Sequence, residues 1–192
     1  GTGVAVPLID SGLGLAFNDF PPGAPGFAAG FANTVDIYGH GTHVMTTVLG
    51  RGTDSLTTNL NFKGVAPNAQ PVVVRVLDAH GIGKVSAVLS GIDWVLANRA
   101  QYNIRVVNMS LGMPATQSYR TDPLCQATKK LYDAGIVTVV AAGNYGKGLD
   151  GNVAYGSITS PGTSPWVITV GATSDQGTLD RSDDKVANYS SR

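Results

Sequence analysis

Charge is scarce in this chain of 192 residues: Asp, Glu, Lys and Arg make up 14% of it, and 13 basic side chains balance 13 acidic ones. With no basic excess, nothing drives sequence-independent binding to phosphates, and nucleic acid is not an expected partner. Cysteine is nearly absent too. The one cysteine, Cys125, excludes a disulfide within the chain and leaves the redox compartment open. No apolar run approaches the roughly 20 residues of a bilayer span, so no membrane partner is expected either. The opening stretch GTGVAVPLID lacks a basic segment and a small-residue cleavage site, so no targeting segment is expected within it. What the chain does have is apolar side chains, 43% of the total, enough at this length for one domain with a large core. It also has 25 glycines, a count that implies tight turns or close backbone approaches.

Five short apolar, mostly β-branched runs stand out, at 4–9, 72–77, 104–109, 136–142 and 166–170, bounded by Gly, Asp or Asn. Near-continuous apolarity predicts strands buried on both faces. Between the second and third runs, Val85, Val88, Leu89, Ile92, Val95 and Leu96 recur at helical spacing and predict a crossover helix. Between the third and fourth, Asp122 can cap a helix opened by Pro123, striped by Leu124, Ala127 and Leu131 and ended by Gly135. This alternation predicts an α/β fold, with function at the carboxyl ends of parallel strands. Residues 12–39 and 50–63 lack periodicity and read as long surface loops. There is no internal repeat and no convincing domain boundary, so residues 1–192 are expected to belong to a single domain, of which they form a part.

Several polar residues sit where such a sheet presents chemistry. Asp10 ends the first run, in Ile9-Asp10-Ser11-Gly12, and His40 opens an expected helix in the segment YGHGTHV. A carboxylate bonded to one imidazole nitrogen fixes the tautomer that leaves the other nitrogen free to take a proton. The order Asp before His is one of three found in convergent serine-hydrolase triads. His40 and His43 could alternatively share a metal on one helical face, but no Glu lies between them and no third ligand follows at a recognisable spacing. Asn144 follows the fourth run in VVAAGN, where its amide can donate to a developing oxyanion. His80 reads as a solvent-facing turn residue and Cys125 as a small core hydrophobe.

Taken together, IDSG at 9–12, HGTHV at 40–44, GVAPNA at 64–69, VVNMSLG at 106–112, VVAAGN at 139–144 and PWVITVGA at 165–172 resemble the subtilisin-like serine proteases, the subtilases. The resemblance covers nearly the whole chain and is strongest to bacterial alkaline subtilases. It implies a three-layer doubly wound parallel sheet with helices on both faces, incomplete at the C-terminal end. It implies an endopeptidase in which Asp10 orients His40, His40 is general base and acid, and Asn144 completes the oxyanion hole. Ser110, Leu111 and Gly112, with Ala141, Ala142 and Gly143, would line a primary specificity pocket that takes an extended polypeptide, and Tyr145 would close or stack against it. Glycines at Gly112 and Gly143 would let the substrate backbone approach. The resemblance also implies secretion or an extracellular location, with a cytoplasmic one left open.

Such a protease needs a nucleophilic serine in a Gly-Thr-Ser-x-Ala setting at a helix start, and none occurs here. Ser164 lies in a GTS triplet but precedes an apolar strand run, and Ser190 and Ser191 lack the Gly-Thr context. The serine is therefore expected beyond Arg192, and residues 1–192 alone are expected to be inactive, to self-associate or to pair with the absent segment. No cofactor is required. Structural calcium is possible in the family, but Asp19 with Asn59 and Asn61 makes a poor six-to-eight-oxygen site. Two rival classes were weighed. A dinucleotide enzyme fails because Phe17 stands where the fingerprint Gly12-Leu13-Gly14 needs a small residue. A non-catalytic peptide-binding module of the same build has no chemical need for Asp10, His40 and Asn144.

Overall fold

The computed structural model describes residues 2–14, 18–20, 23–53, 55 and 62–192. Its centre is a six-stranded parallel sheet in the order β2-β3-β1-β4-β5-β6, formed by β1 (Ala5–Asp10), β2 (Gly26–Ala28), β3 (Gln70–Arg75), β4 (Val106–Met109), β5 (Val137–Ala141) and β6 (Ile168–Val170). A small antiparallel pair, β7 (Thr173–Ser174) and β8 (Lys185–Val186), follows. The five apolar runs are five of the sheet strands. The sixth, β2, lies inside the stretch expected to be loop. Its three residues, Gly-Phe-Ala, are too short for periodicity, and its pairing is long-range, with Gly26 opposite Val73.

Helices α1 (His40–Leu49), α2 (Val85–Asn98) and α3 (Pro123–Asp133) divide between the faces. Alternation along β1 sends Ala5 and Ile9 toward α2 and α3, where Val72, Val74, Ile92, Val95, Met109, Leu131 and Val140 complete the larger core. Val6 and Leu8 point the other way, onto Met45 and Leu49 of α1. Because β1 is covered on both faces, all six of its residues are buried. A Leu→Ala change at such sites costs roughly 2–5 kcal/mol. Asp122 caps α3 as its position predicts: its Oδ1 accepts from the Leu124 and Cys125 amides at 2.9 and 3.0 Å. Gly135 ends that helix at φ 76°.

The chain leaves β1 by way of α1 toward β3 on one side and returns through α2 to β4 on the other. Where strand order reverses in this way, a crevice opens at the carboxyl ends, here beyond Asp10 and Met109. One face is incompletely covered. Register puts Val106, Val137, Val139, Ile168 and Val170 on the same side of β4, β5 and β6, and among the described residues α1 packs mainly on β1 and β3. Val137, Ile168 and Val170 are about half exposed there, whereas parallel sheets are ordinarily covered on both faces. No helix among the described residues is long and apolar enough to cross a membrane.

Candidate active site

The site begins with how closely two backbones approach. At the end of β1, Gly12 has φ +118°, and a Cβ there would lie 2.4 Å from the Thr34 carbonyl oxygen. At the start of α1, a Cβ on Gly41 would lie 2.5 Å from the Gly12 carbonyl oxygen. Only glycine fits either position, and this contact brings the first turn of α1 against the tip of β1. The Ser11 hydroxyl oxygen closes the joint by accepting the Gly41 amide at 2.8 Å.

The apposition puts His40 Nδ1 2.7 Å from Asp10 Oδ1. Asp10 is buried, and the same oxygen accepts the Ser11 amide at 2.7 Å. His40 is 41% exposed at its side chain, so one ring edge faces the carboxylate and the ring remains open to solvent. The hydrogen bond that His40 donates to Asp10 holds the His40 pKa above its ordinary 6.5; burial works in the opposite direction, and the negative charges of Asp10 and Asp36 add to the rise.

Asp36 is a residue the motif reading overlooked. Gly39 precedes α1 at φ 95° and has no side chain with which to cap the helix. The Asp36 carboxylate does so instead: Oδ1 accepts the Gly39 amide at 2.8 Å, and Oδ2 accepts the Thr42 amide at 2.8 Å and the Thr42 hydroxyl at 2.6 Å. Thr42 Oγ1 in turn accepts the Gly14 amide at 2.9 Å. Burial opposes ionisation of Asp36, but the bonds from Thr42 and Gly39 outweigh it and hold the carboxyl below its usual range. A charge is thereby fixed at the positive end of α1, where it offsets the dipole's penalty on a protonated His40.

His40, Ser110, Leu111, Gly112 and Asn144 line one open cleft of about 460 Å³. Its other walls are Tyr38, the turn Gly81-Ile82-Gly83-Lys84, and Val85, Val88, Met113 and Leu124. The Tyr38 ring lies against Gly81, where a Cβ would meet it at 2.5 Å. The lining residues come from five stretches of the chain, at 38–40, 77–88, 110–113, 124 and 144. Ala141, Ala142 and Gly143 are not among the lining residues. Ala142 is buried, and Tyr145 is 54% exposed beside the cleft. A Cβ on Gly112 or Gly143 would lie 2.4 to 2.6 Å from the buried Thr159 side chain. Close internal packing, with φ +106° at Gly143, is thus one reason both positions are glycine.

The remaining sequence candidates are scattered. Ser164 is buried in a turn with its hydroxyl 3.1 Å from that of Thr128, and His80 is solvent-facing. Cys125 is fully buried, and burial pushes its thiol up. Asp19 is buried, while Phe17, Asn59 and Asn61 lie outside the described residues. Among the described residues no group of three or more His, Cys, Asp or Glu side chains could hold a metal ion.

A doubly wound α/β chain with a helix-borne imidazole on a buried carboxylate, and an amide across the same cleft, is the class that fold and site define. The chain belongs to the subtilase family, whose model matches residues 1–192. It is 36% identical over 209 residues to the serine protease AprX of Bacillus subtilis strain 168, covering all of this chain and 43% of that protein. It is 37% identical over 174 residues to subtilisin DY of Bacillus licheniformis, covering 90% of this chain and 57% of that one. Among solved structures, Sphericase superposes over the whole chain with a TM-score of 0.78 at 26% identity, covering 60% of its own length. The chain thus spans between 43% and 60% of these relatives.

Proposed function

We propose that these residues are the aspartate-, histidine- and oxyanion-bearing part of a serine endopeptidase whose nucleophilic serine lies outside residues 1–192. The observation that carries this is the 2.7 Å bond from buried Asp10 to an imidazole that shares a cleft with Asn144. Asp10 accepts from Nδ1–H and so leaves Nε2 free to take the serine proton and later return it to the leaving amine. The Asn144 amide donates to the oxyanion that forms at the scissile carbonyl. The backbone of Ser110-Leu111-Gly112, with the Gly81-Ile82-Gly83 turn across the cleft, offers an extended polypeptide its edges to pair with. Side chains carry every step, so the chemistry needs no cofactor and gives calcium no part. An extracellular location rests on the likeness to bacterial subtilisins.

In the full-length protein, Asn144→Ala should lower kcat by roughly 10² to 10³ with KM little changed, the loss known for such a donor in a subtilisin. Steady-state hydrolysis of a chromogenic peptide measures it. An unchanged kcat would refute the oxyanion role, and peptide binding without hydrolysis by the full-length protein would make it a binding module.

The half-open face of β4, β5 and β6 is the surface to which we assign the serine-bearing segment. Residues 1–192 alone are then expected to self-associate through it. Sedimentation as a monomer, without apolar-dye binding, would count against that assignment.

A further inference from the structure

We infer that Ser191 is a positioning residue for the oxyanion donor, a clasp that spans Asn144. Asn144 is exposed and makes no hydrogen bond of its own among the described residues, so its place is set by its neighbours. Both neighbours are bonded to one residue 46 or more positions away. The Ser191 amide donates to the Gly143 carbonyl at 3.0 Å, and the Ser191 hydroxyl oxygen accepts the Tyr145 amide at 3.0 Å. The bonds therefore arrive on either side of Asn144 and hold both peptide planes that flank it.

The clasp is itself anchored. Ser191 is 4% exposed, and a Cβ on Gly143 would lie 2.9 Å from its oxygen, so loop and clasp are in direct contact. One residue upstream, Ser190 Oγ accepts the Ala172 amide at 3.0 Å just beyond β6, and the Gly146 amide donates to the Tyr189 carbonyl at 2.9 Å. Behind the loop, the Ala142 carbonyl accepts from the Thr159 amide and hydroxyl at 2.9 and 3.2 Å. Three of these ties are made by side chains, and of the three the Ser191 hydroxyl bond is the one that reaches a peptide plane flanking Asn144. An oxyanion donor works only when held where charge develops, and misplacement by about 1 Å can cost 100-fold in rate.

The inference rests on Asn144 being that donor, and the test separates the two. In the full-length protein, Ser191→Ala should lower kcat about 10-fold and leave KM within about 2-fold. Combined with Asn144→Ala it should add almost nothing, because Ser191 acts only through Asn144. A full additive loss in the double variant, a rise confined to KM, or no loss at all would overturn the clasp. If Asn144→Ala alone leaves kcat unchanged, the donor assignment is what fails. A readout that needs neither activity nor a folded variant is amide exchange in the unmutated protein. The Tyr145 amide should exchange slowly although the residue is half exposed, and exchange at the free-peptide rate would overturn the bond to Ser191.

Discussion

In the full-length protein, His40→Ala is expected to lower kcat by about 10⁶-fold, the loss found when the base is removed from a subtilisin, and to leave KM within a few-fold. The geometry explains the size and the split. His40 is the described side chain that combines a carboxylate on one ring nitrogen with an open face on the cleft. Without it the serine proton has no acceptor and the leaving amine no donor, so both halves of the reaction lose their acid–base partner. The backbone edges that hold an extended substrate are untouched, which is why KM stays. The variant leaves Asp10 buried with only the Ser11 amide on Oδ1, so folding is checked first by circular dichroism. Steady-state kinetics and labelling by a fluorophosphonate then decide. Retention of more than about 1% of wild-type kcat, or undiminished labelling, would remove His40 from the mechanism.

Asp10→Asn is the second large effect, a loss of roughly 10⁴ in kcat with the fold retained. An asparagine keeps the shape of Asp10 but can present an N–H to His40 Nδ1. That pairing forces the proton onto Nε2, the nitrogen that must accept from the serine, so the imidazole is held in the wrong tautomer. It also removes the hydrogen bond and charge that raise the His40 pKa, and the His40 titration followed by NMR should move down toward or below its ordinary 6.5. The sign for stability follows. In the wild type, charged His40 stabilises the fold fully below about pH 6.5, and that contribution is lost as pH rises through the raised value. In Asp10→Asn this pH dependence flattens, as denaturant midpoints measured between pH 5 and 9 should show. A kcat within 10-fold of wild type, or an unmoved titration, would overturn the orienting role.

The strands and the helix stops were legible because their causes are local. Residues 4–9 are apolar at every position since β1 is buried on both faces, and Asp122-Pro123 and Gly135 mark the ends of α3 through bonds within a few residues. Asp10, His40 and Asn144 were legible for a related reason: each sits at the end of an element that announces itself. β2 was not, because three residues in a Gly- and Pro-rich stretch become a strand only when Val73 and Val74 lie beside them. Asp36 was passed over because its capping bonds skip a glycine that occupies the cap position itself. The glycines at 112 and 143 were visible, but a side chain that crowds both of them was not. Thr159 meets both Cα positions across the fold, and no pattern in the chain pairs a threonine with glycines 47 and 16 residues before it.

By itself, then, the sequence determined the α/β class, the presence of five of the six sheet strands and of the helices, and the identity of the polar groups at the strand ends, because periodicity, capping and backbone freedom act within about one turn or one strand. Only the tertiary structure decided which of those groups meet. The 2.7 Å contact of Asp10 with His40, the cleft that joins His40 to Asn144, and the Ser191 bonds on either side of that asparagine all depend on backbone approaches between segments far apart in the chain, by 30 residues for the first and 104 for the second. Such approaches come from packing two faces of a sheet at once, a condition that no short stretch of chain encodes.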